Sequence, residues 1–593
     1  MAFGFAGKRG NAAFFLTLLA LEVSTFVWLS QAQTPSASSS AAAYQRGQAA
    51  IEKGDTSRAR SAFEQAIKLD PRNADAHNAL GQLMLQQGDV DGAIPHFRTV
   101  TRLRPGLAIA YAYLAQALVS KGSLEEAAHE LREAVRLAPK QAEAHLALAR
   151  VLSQQQKTED AISEMKKAVA LQPTRPDLHD DLGVLLAQQL QLQEAEKEFR
   201  AALQLDQKYE SAQLHIGVAL LNGGQRDEAQ AALERAVQLD PKDGTAQYYL
   251  GTALEAKGST DAALQAYARA AELTPNVAAV QTRYGLLLQR SGDPEKAATA
   301  FTKVVELTPS DPEAHNNLGL ALMQYGQGDA AIKEFQTALK LNPDDTGIRG
   351  NLGLAYLQKS DFDAASRELR EALKTSPNQA HLHYDLAVAL KLKDDLAGAI
   401  SELKEAIRLD PELADAYYTY GVTLWQSGDF AAAVERLQDA IRLKPDYAEA
   451  YYTLGTVFKQ MEKLPEAANA LREAIRLQPD FAGAHTTLAA VLRQLGDSQG
   501  AAAESKIGAE LSQQKTSLQA ATFTTNSGRR LLEAGDLEGA LSQFRSAINS
   551  QPAYAPAHYQ LGLALQRKGD KAGATAEFQK AAALDPRLKS PSQ

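Results

Sequence analysis

The side chains with the most potential for chemistry in this sequence are its eleven histidines, which can act as general bases or metal ligands near neutral pH. His129 and Glu130 begin a His-Glu-x-x pattern, but Glu133 stands where a second zinc-binding histidine is required. The 593-residue chain has no cysteine, which excludes disulfides, thiolate metal sites and a cysteine nucleophile. We therefore predict no catalytic residue, no cofactor, no metal ligand and a protein that is not an enzyme.

Seven of the histidines recur at equivalent places because the chain repeats every 34 residues. Proline marks the period at Pro71, Pro105, Pro139, Pro173, Pro241, Pro275, Pro309, Pro343, Pro377, Pro411, Pro445 and Pro479. We number each repeat so that this proline is position 32, which makes residue 40 the start of repeat 1. Position 4 is then held by His77, His145, His179, His315, His383, His485 and His558. Because other repeats carry tyrosine at position 4, we predict that these histidines pack between helices instead of binding metal.

The other recurring positions predict two closely packed helices in each repeat. Position 20 is always alanine, position 8 is glycine or alanine, and position 24 is large and apolar in every repeat but one. Two helices in close contact need a small residue where their axes cross and a large one beside the crossing. Gly-Asp often stands at positions 15 and 16, as in Gly88-Asp89, where glycine ends one helix and aspartate caps the next. Proline at position 32 then stops the second helix.

This pattern resembles the tetratricopeptide repeat family over residues 40–588, in about sixteen repeats. The resemblance implies an all-α fold: an α-solenoid in which antiparallel helix pairs form a right-handed superhelix. It also implies a non-catalytic scaffold that binds partner proteins or extended peptides in a concave groove lined by the first helices. Such arrays gain stability from contacts between neighbouring repeats.

The sequence also predicts where the array begins, breaks and ends. Lys8 and Arg9 precede an apolar run and a small-residue cleavage site after Ala32, which is typical of a signal peptide; an uncleaved membrane anchor is the alternative. Near 516–520, Gln513 replaces the proline and five extra residues interrupt the period. The predicted segments are a leader at 1–32, a Ser-rich linker at 33–40, repeats 1–14 at 40–515, an insert within a hinge or long helix at 516–520, repeats 15–16 at 521–588 and a tail at 589–593.

Residues 381–493 stand out within the expected groove. The chaperone-binding members of the family hold a terminal carboxylate with lysine at position 5 and asparagine at position 9, and neither occurs in this chain. Instead, position 5 of repeats 11–13 and position 12 of repeats 11–14 carry aromatic and cationic side chains, which are common anchors at protein interfaces: Tyr384, Lys391, Tyr418, Trp425, Tyr452, Lys459 and Arg493. We predict that these residues bind a segment with acidic and apolar character. The alternative is that the tyrosines only pack and the cations are only solvated.

Net charge narrows the range of partners. The formal net charge is −9, and an acidic surface repels phosphate backbones, so we expect no nucleic acid. The expected partners are proteins or extended peptides, with membrane contact only through an uncleaved leader. We expect an exported protein, in the periplasm, envelope or outside the cell. The alternative function is a non-catalytic subunit of a glycan or polysaccharide-export or glycosyltransferase complex.

Overall fold

The computed structural model describes residues 35–588, so the predicted leader at 1–32 and tail at 589–593 lie outside the described residues. Residues 35–588 form 31 α-helices and no β-strand. Within this range, no helix combines the length and hydrophobicity needed to span a bilayer.

The chain divides into two compact units, Met1–Pro309 and Ser310–Gln593. The first contains α1 Pro35–Glu52, α2 Thr56–Leu69, α3 Ala74–Gln86, α4 Val90–Leu103, α5 Ala108–Lys121, α6 Leu124–Leu137, α7 Ala142–Gln154, α8 Thr158–Leu171, α9 Pro176–Gln188, α10 Leu192–Leu205, α11 Glu210–Asn222, α12 Arg226–Leu239, α13 Gly244–Ala256, α14 Thr260–Leu273, α15 Ala278–Arg290 and α16 Pro294–Leu307. The second contains α17 Pro312–Gln324, α18 Gly328–Leu341, α19 Thr346–Gln358, α20 Phe362–Thr375, α21 Ala380–Leu392, α22 Leu396–Leu409, α23 Ala414–Gln426, α24 Phe430–Leu443, α25 Ala448–Gln460, α26 Leu464–Leu477, α27 Ala482–Gln494, α28 Ser498–Glu533, α29 Leu537–Ser550, α30 Ala555–Lys568 and α31 Lys571–Leu584.

Within each unit, a helix packs mainly against the helices that precede and follow it in sequence. Two helices of one repeat make the largest contact, and the second helix then packs on the first helix of the next repeat. Such nearest-neighbour packing defines a solenoid. The predicted fold class, an all-α solenoid, is confirmed.

The two helices of a repeat cross where position 8 meets position 24. A Cβ atom placed on Gly319 would lie 2.6 Å from Cε1 of Phe335, too close for any real contact. Every phenylalanine or tyrosine at position 24 faces a glycine at position 8 in the same way. Alanine occurs at position 8 only where position 24 is smaller or more flexible: Ala115 with Leu131, Ala149 with Met165, Ala387 with Leu403, and Ala489 with Ser505.

The turn between the two helices needs a left-handed residue at position 15 of every repeat. Glycine supplies it in eleven repeats, and Gln156, Leu190, Ser360, Asp394 and Glu462 adopt the same conformation with φ between 58° and 65°. Glycine is preferred here because other residues are strained in this region. The aspartate that follows caps the next helix, since the Asp89 carboxylate accepts a 3.0 Å hydrogen bond from the Gly92 amide.

The position-4 histidines tie each repeat to the one before it. His145 Nδ1 lies 2.5 Å from Glu164 Oε2 on the second helix of its repeat, and its Nε2 donates to the Pro139 carbonyl at 3.1 Å. The same two contacts recur at His179, His383, His485 and His558. These histidines therefore pack between helices, as predicted. Across residues 35–588, no three histidine or acidic side chains are grouped closely enough to hold a metal ion.

The first helix begins earlier than the sequence suggests. Residues 33–40 were predicted to be a linker because they lack a hydrophobic pattern, but helix α1 already includes Pro35. At its first buried turn, the Ser40 hydroxyl donates to the Ala66 carbonyl at 2.8 Å and accepts from Asn73 Nδ2 at 3.0 Å. Polar anchoring of this kind holds a helix in place without an apolar stripe, so the linker prediction is wrong from Pro35 onward.

Near the C-terminus, one 36-residue helix, α28, spans Ser498–Glu533. It includes the 516–520 segment that interrupts the period. No proline stops it, since Gln513 occupies position 32 of repeat 14. From Ala509 to Ala520 every side chain is exposed or only partly buried, so this stretch joins two packed regions without packing closely on either.

Replacing Gly319 with alanine should destabilise the protein, because the new methyl group collides with the Phe335 ring. Overpacking of this kind costs about 1–3 kcal/mol. We expect a lower urea midpoint, measured by circular dichroism. Adding Phe335→Leu should restore much of the loss, since alanine faces leucine at the Ala115–Leu131 crossing.

Gly106→Ala is the matched control, because a Cβ there meets no atom within 4 Å. Equal urea midpoints for the Gly319→Ala and Gly106→Ala variants would show that the helix crossing does not limit the size of the side chain at position 8.

Candidate protein-binding groove

The predicted binding residues lie on four consecutive first helices, α21, α23, α25 and α27. Positions 5 and 12 are seven residues apart, which is nearly two helical turns, so both point to the same face and lie about 10 Å apart along the axis. The tyrosines Tyr384, Tyr418 and Tyr452 form one row, the tyrosine row. Lys391, Trp425, Lys459 and Arg493 form a second row, the cation row.

The tyrosine row is partly buried and packs between repeats. The Tyr418 ring centroid lies 4.9 Å from that of Tyr447, and Tyr452 lies 4.8 Å from Phe481. Tyr447 and Phe481 both occupy position 34, the last residue before the next repeat. The Tyr384 hydroxyl accepts a 3.5 Å hydrogen bond from Thr419 on the next first helix. These tyrosine rings therefore pack between repeats, as the alternative stated in the sequence analysis requires. Each ring nevertheless keeps part of its surface exposed.

Five lysines at position 14, two residues after position 12, form ion pairs between repeats. Each binds an acidic residue at position 18 of the preceding repeat, such as Lys393 with Asp363 at 2.5 Å and Lys359 with Asp329 at 3.0 Å. The other three pairs are Lys121 with Asp91, Lys257 with Asp227, and Lys568 with Glu538. These ion pairs join neighbouring repeats at the inter-helix turns.

The cations of the cation row differ, because Lys391, Lys459 and Arg493 form no ion pair with any described residue. Burial lowers the pKa of Lys391, so its charge is held in a partly desolvated place without a carboxylate nearby. Lys391 and Lys459 are partly buried, whereas Arg493 is exposed. An unpaired, partly buried cation gains more from an incoming anion than a solvated one does.

Trp425 joins the cation row to Gln460 of the next repeat, and Gln460 lines a cleft. Its indole Nε1 donates to Oε1 of Gln460. A cleft of about 570 Å³ is lined by Lys459 and Gln460, together with Thr456, Glu462, Leu464 and Gln494. The cleft therefore leaves space beside Lys459.

Position 9, between the two rows, carries a small side chain in these four repeats and so leaves space there. It is Val388, Val422, Thr456 and Ala490, all partly exposed. The two repeats before them carry Leu320 and Leu354 at this position, which fill more of the groove.

One carboxyl group of this region escaped the sequence analysis. Asp385, next to Tyr384, is partly buried, and burial raises its pKa to about 6 while nearby His381 opposes the shift. No described residue donates a hydrogen bond to it. The only sequence signal was aspartate at position 6, where most other repeats carry a neutral side chain.

A second polar cluster, in repeats 4–6, was also missed. Asp180 is 4% exposed, and its Oδ1 lies 2.7 Å from His215 Nδ1. The adjacent Asp181 accepts a 2.7 Å hydrogen bond from Arg150 of the preceding repeat. Two consecutive aspartates at positions 5 and 6 were the available signal, but their partners come from different repeats and could be identified only from the fold.

Sequence models of the tetratricopeptide repeat match most of the chain. The model described as "Tetratricopeptide repeat" matches residues 44–108, 113–176, 154–210, 214–278, 284–346 and 452–505, and three related models match 322–391, 389–428, 421–462, 528–569 and 555–588. The chain belongs to the tetratricopeptide repeat family. Folds of this family are typical of protein-interaction scaffolds that are not themselves catalytic, so this chain is a scaffold for protein interactions.

Several solved structures are similar to the chain over part of its length, and no curated protein matches it. The chain is similar to MamA at 30% identity, over 28% of this chain and 96% of MamA, with a TM-score of 0.27. It is similar to yeast Tom70 at 18% identity, over 71% and 96%, with a TM-score of 0.35. It is also similar to YrrB, "a TPR protein with an unusual peptide-binding site", at 24% identity, over 32% and 96%, with a TM-score of 0.28.

The pKa of Asp385 predicts a pH-dependent change in stability. A buried carboxyl with a pKa near 6 in the folded protein and 3.8 when unfolded destabilises the fold when ionised. The penalty is complete above pH 6 and disappears as pH falls toward 3.8. Asp385→Asn should therefore raise the thermal midpoint more at pH 8 than at pH 5, as measured by circular dichroism.

Asp363→Asn is the matched control, because Asp363 is exposed and the hydrogen bond from Lys393 lowers its pKa, so its carboxylate is ionised at both pH values. That variant should change the midpoint little, and by the same amount at pH 5 and pH 8. If Asp385→Asn raises the thermal midpoint equally at pH 5 and pH 8, the result would contradict a buried charge at Asp385.

Proposed function

We propose that this protein is a non-catalytic scaffold whose groove at residues 381–493 binds an extended protein segment with acidic and apolar side chains. One observation supports this proposal above the others: the cation row has three cations without ion pairs to the described residues, whereas five lysines at position 14 pair with the preceding repeat. An incoming carboxylate supplies the missing partner for each cation.

The tyrosine row and the cation row together explain why the bound segment has both acidic and apolar side chains. Trp425 and the exposed parts of the tyrosine row offer apolar surface, and aromatic side chains dominate the energetics of protein interfaces. The cations select acidic groups over basic ones within a protein whose net charge is −9. That net charge also supports protein partners over nucleic acid, as part of the same proposal.

Reversing the charge of Lys391, Lys459 and Arg493 together should abolish capture of the partner from an extract of the native organism. The expected loss is at least tenfold in retained protein, measured by quantitative mass spectrometry of affinity-captured material. The reason is that three attractive contacts become repulsive.

The control variant reverses Lys166, Lys197 and Arg235, which are exposed on second helices, so both variants change net charge equally. Unchanged capture by the groove variant, or equal loss in both variants, would reject the groove as the binding site. A glycan-acting enzyme among the proteins lost only with the groove variant would identify the alternative function as a subunit of such a complex.

We also propose that the protein is exported, with the array in the periplasm, the envelope or outside the cell. The support is the sequence of residues 1–32, in which Lys8 and Arg9 precede an apolar run and a small-residue cleavage site.

Intact-mass measurement of protein isolated from its native source should therefore give a chain that starts at Gln33. A mass that retains residues 1–32 in a membrane fraction would replace the signal peptide with an anchor. The same mass in a cytoplasmic fraction would contradict export.

A further inference from the structure

The spacing of the cation row sets a sequence for its ligand. Consecutive first helices are in direct side-chain contact: Thr419 on α23 donates to Tyr384 on α21, and Trp425 on α23 donates to Gln460 on α25. Both hydrogen bonds join residues 35 apart, one repeat plus one residue. Helices in such contact have axes about 8–10 Å apart.

An extended peptide in the polyproline II conformation rises about 3.1 Å per residue with three residues per turn, so three of its residues span about 9 Å and side chains three residues apart face the same side. A peptide crossing these helices therefore advances three residues for every repeat. Successive residues of the cation row therefore lie opposite peptide residues that are three positions apart. The order along the row is cation, indole, cation, cation.

We infer that the groove of repeats 11–14 recognises an extended segment with an acidic residue at i, an apolar or aromatic residue at i+3, and acidic residues at i+6 and i+9. The three acids pair with Lys391, Lys459 and Arg493, and the apolar side chain packs on Trp425. This inference rests on the proposed groove function and adds the ligand pattern.

The flanking features accommodate an extended ligand. The small residues at position 9, Val422 and Thr456 among them, leave room between the tyrosine row and the cation row for the side chains of such a segment. A helix is about 10 Å wide with its side chains and advances only 1.5 Å per residue, so its acids would need wider spacing to match the repeats. The cleft beside Lys459 and Gln494 gives room for the acidic side chain at i+6.

The test uses fluorescein-labelled synthetic peptides and fluorescence anisotropy with the full chain. The matched peptide has glutamate at its first, seventh and tenth positions, phenylalanine at its fourth, and serine or glycine elsewhere. A second peptide has this order reversed, with glutamate at its first, fourth and tenth positions and phenylalanine at its seventh, because a peptide can cross the groove in either direction. The control peptide has the same composition with two-residue spacing. One of the two peptides with three-residue spacing should bind at least tenfold more tightly than the control peptide.

Charge exchange then tests the register. If the matched peptide binds in the order given, Lys459→Glu should weaken it at least tenfold. Replacing the seventh-position glutamate of the peptide with lysine should restore binding to that variant, whereas replacing the first-position glutamate should not. For the reversed peptide, the restoring change is at its fourth-position glutamate.

Equal affinity for the peptides with three-residue and two-residue spacing overturns the inferred pattern. The pattern is also overturned if lysine at any of the acidic positions restores binding to the Lys459→Glu variant equally well. If those peptides nevertheless lose binding to the triple charge-reversal variant, the groove function stands and only the spacing is wrong. Failure of all three peptides to bind also overturns the pattern, while partner capture by the wild-type groove, lost in the triple variant, would still support the proposed function.

Discussion

The close approach of two helices at each position-8 glycine is the constraint on which the rest of this structure depends. A large side chain at position 24 fits only because no Cβ stands opposite, as Gly319 and Phe335 show. When position 24 becomes leucine, methionine or serine, alanine can replace the glycine. The distance between the two helices is thus kept within a narrow range from repeat to repeat.

A constant helix spacing has consequences outside the core. It places position 14 beside position 18 of the preceding repeat, where ion pairs such as Lys359 with Asp329 form. It also places position 4 within reach of both the preceding proline turn and position 23, where His145 contacts Pro139 and Glu164. These contacts are each modest in energy, but they recur, and stability in a repeat array is approximately the sum over neighbours.

The same regularity turns single residues into rows. Lys391 alone would be an ordinary lysine, but its counterparts at position 12 occupy the equivalent place on four consecutive first helices. Because the position-14 lysines already have partners, the contrast with Lys391, Lys459 and Arg493 becomes visible only when all contacts are known. A ligand site in such a fold consists of equivalent residues on successive repeats, whereas the site of a globular enzyme is an enclosed pocket.

By itself, the sequence determined the repeat, the helix pairs and the fold class, because glycine, alanine and proline at fixed intervals leave few other ways to pack the chain. It also indicated that the position-4 histidines pack. Only the tertiary structure decided which groups face each other across repeats: the pairing of Asp180 with His215, the burial of Asp385, the anchoring of Ser40 and the continuity of α28. The physical reason is that a helix pattern records which face of a helix is apolar, whereas the partner of a polar side chain comes from another repeat, at a distance set by how the helices stack.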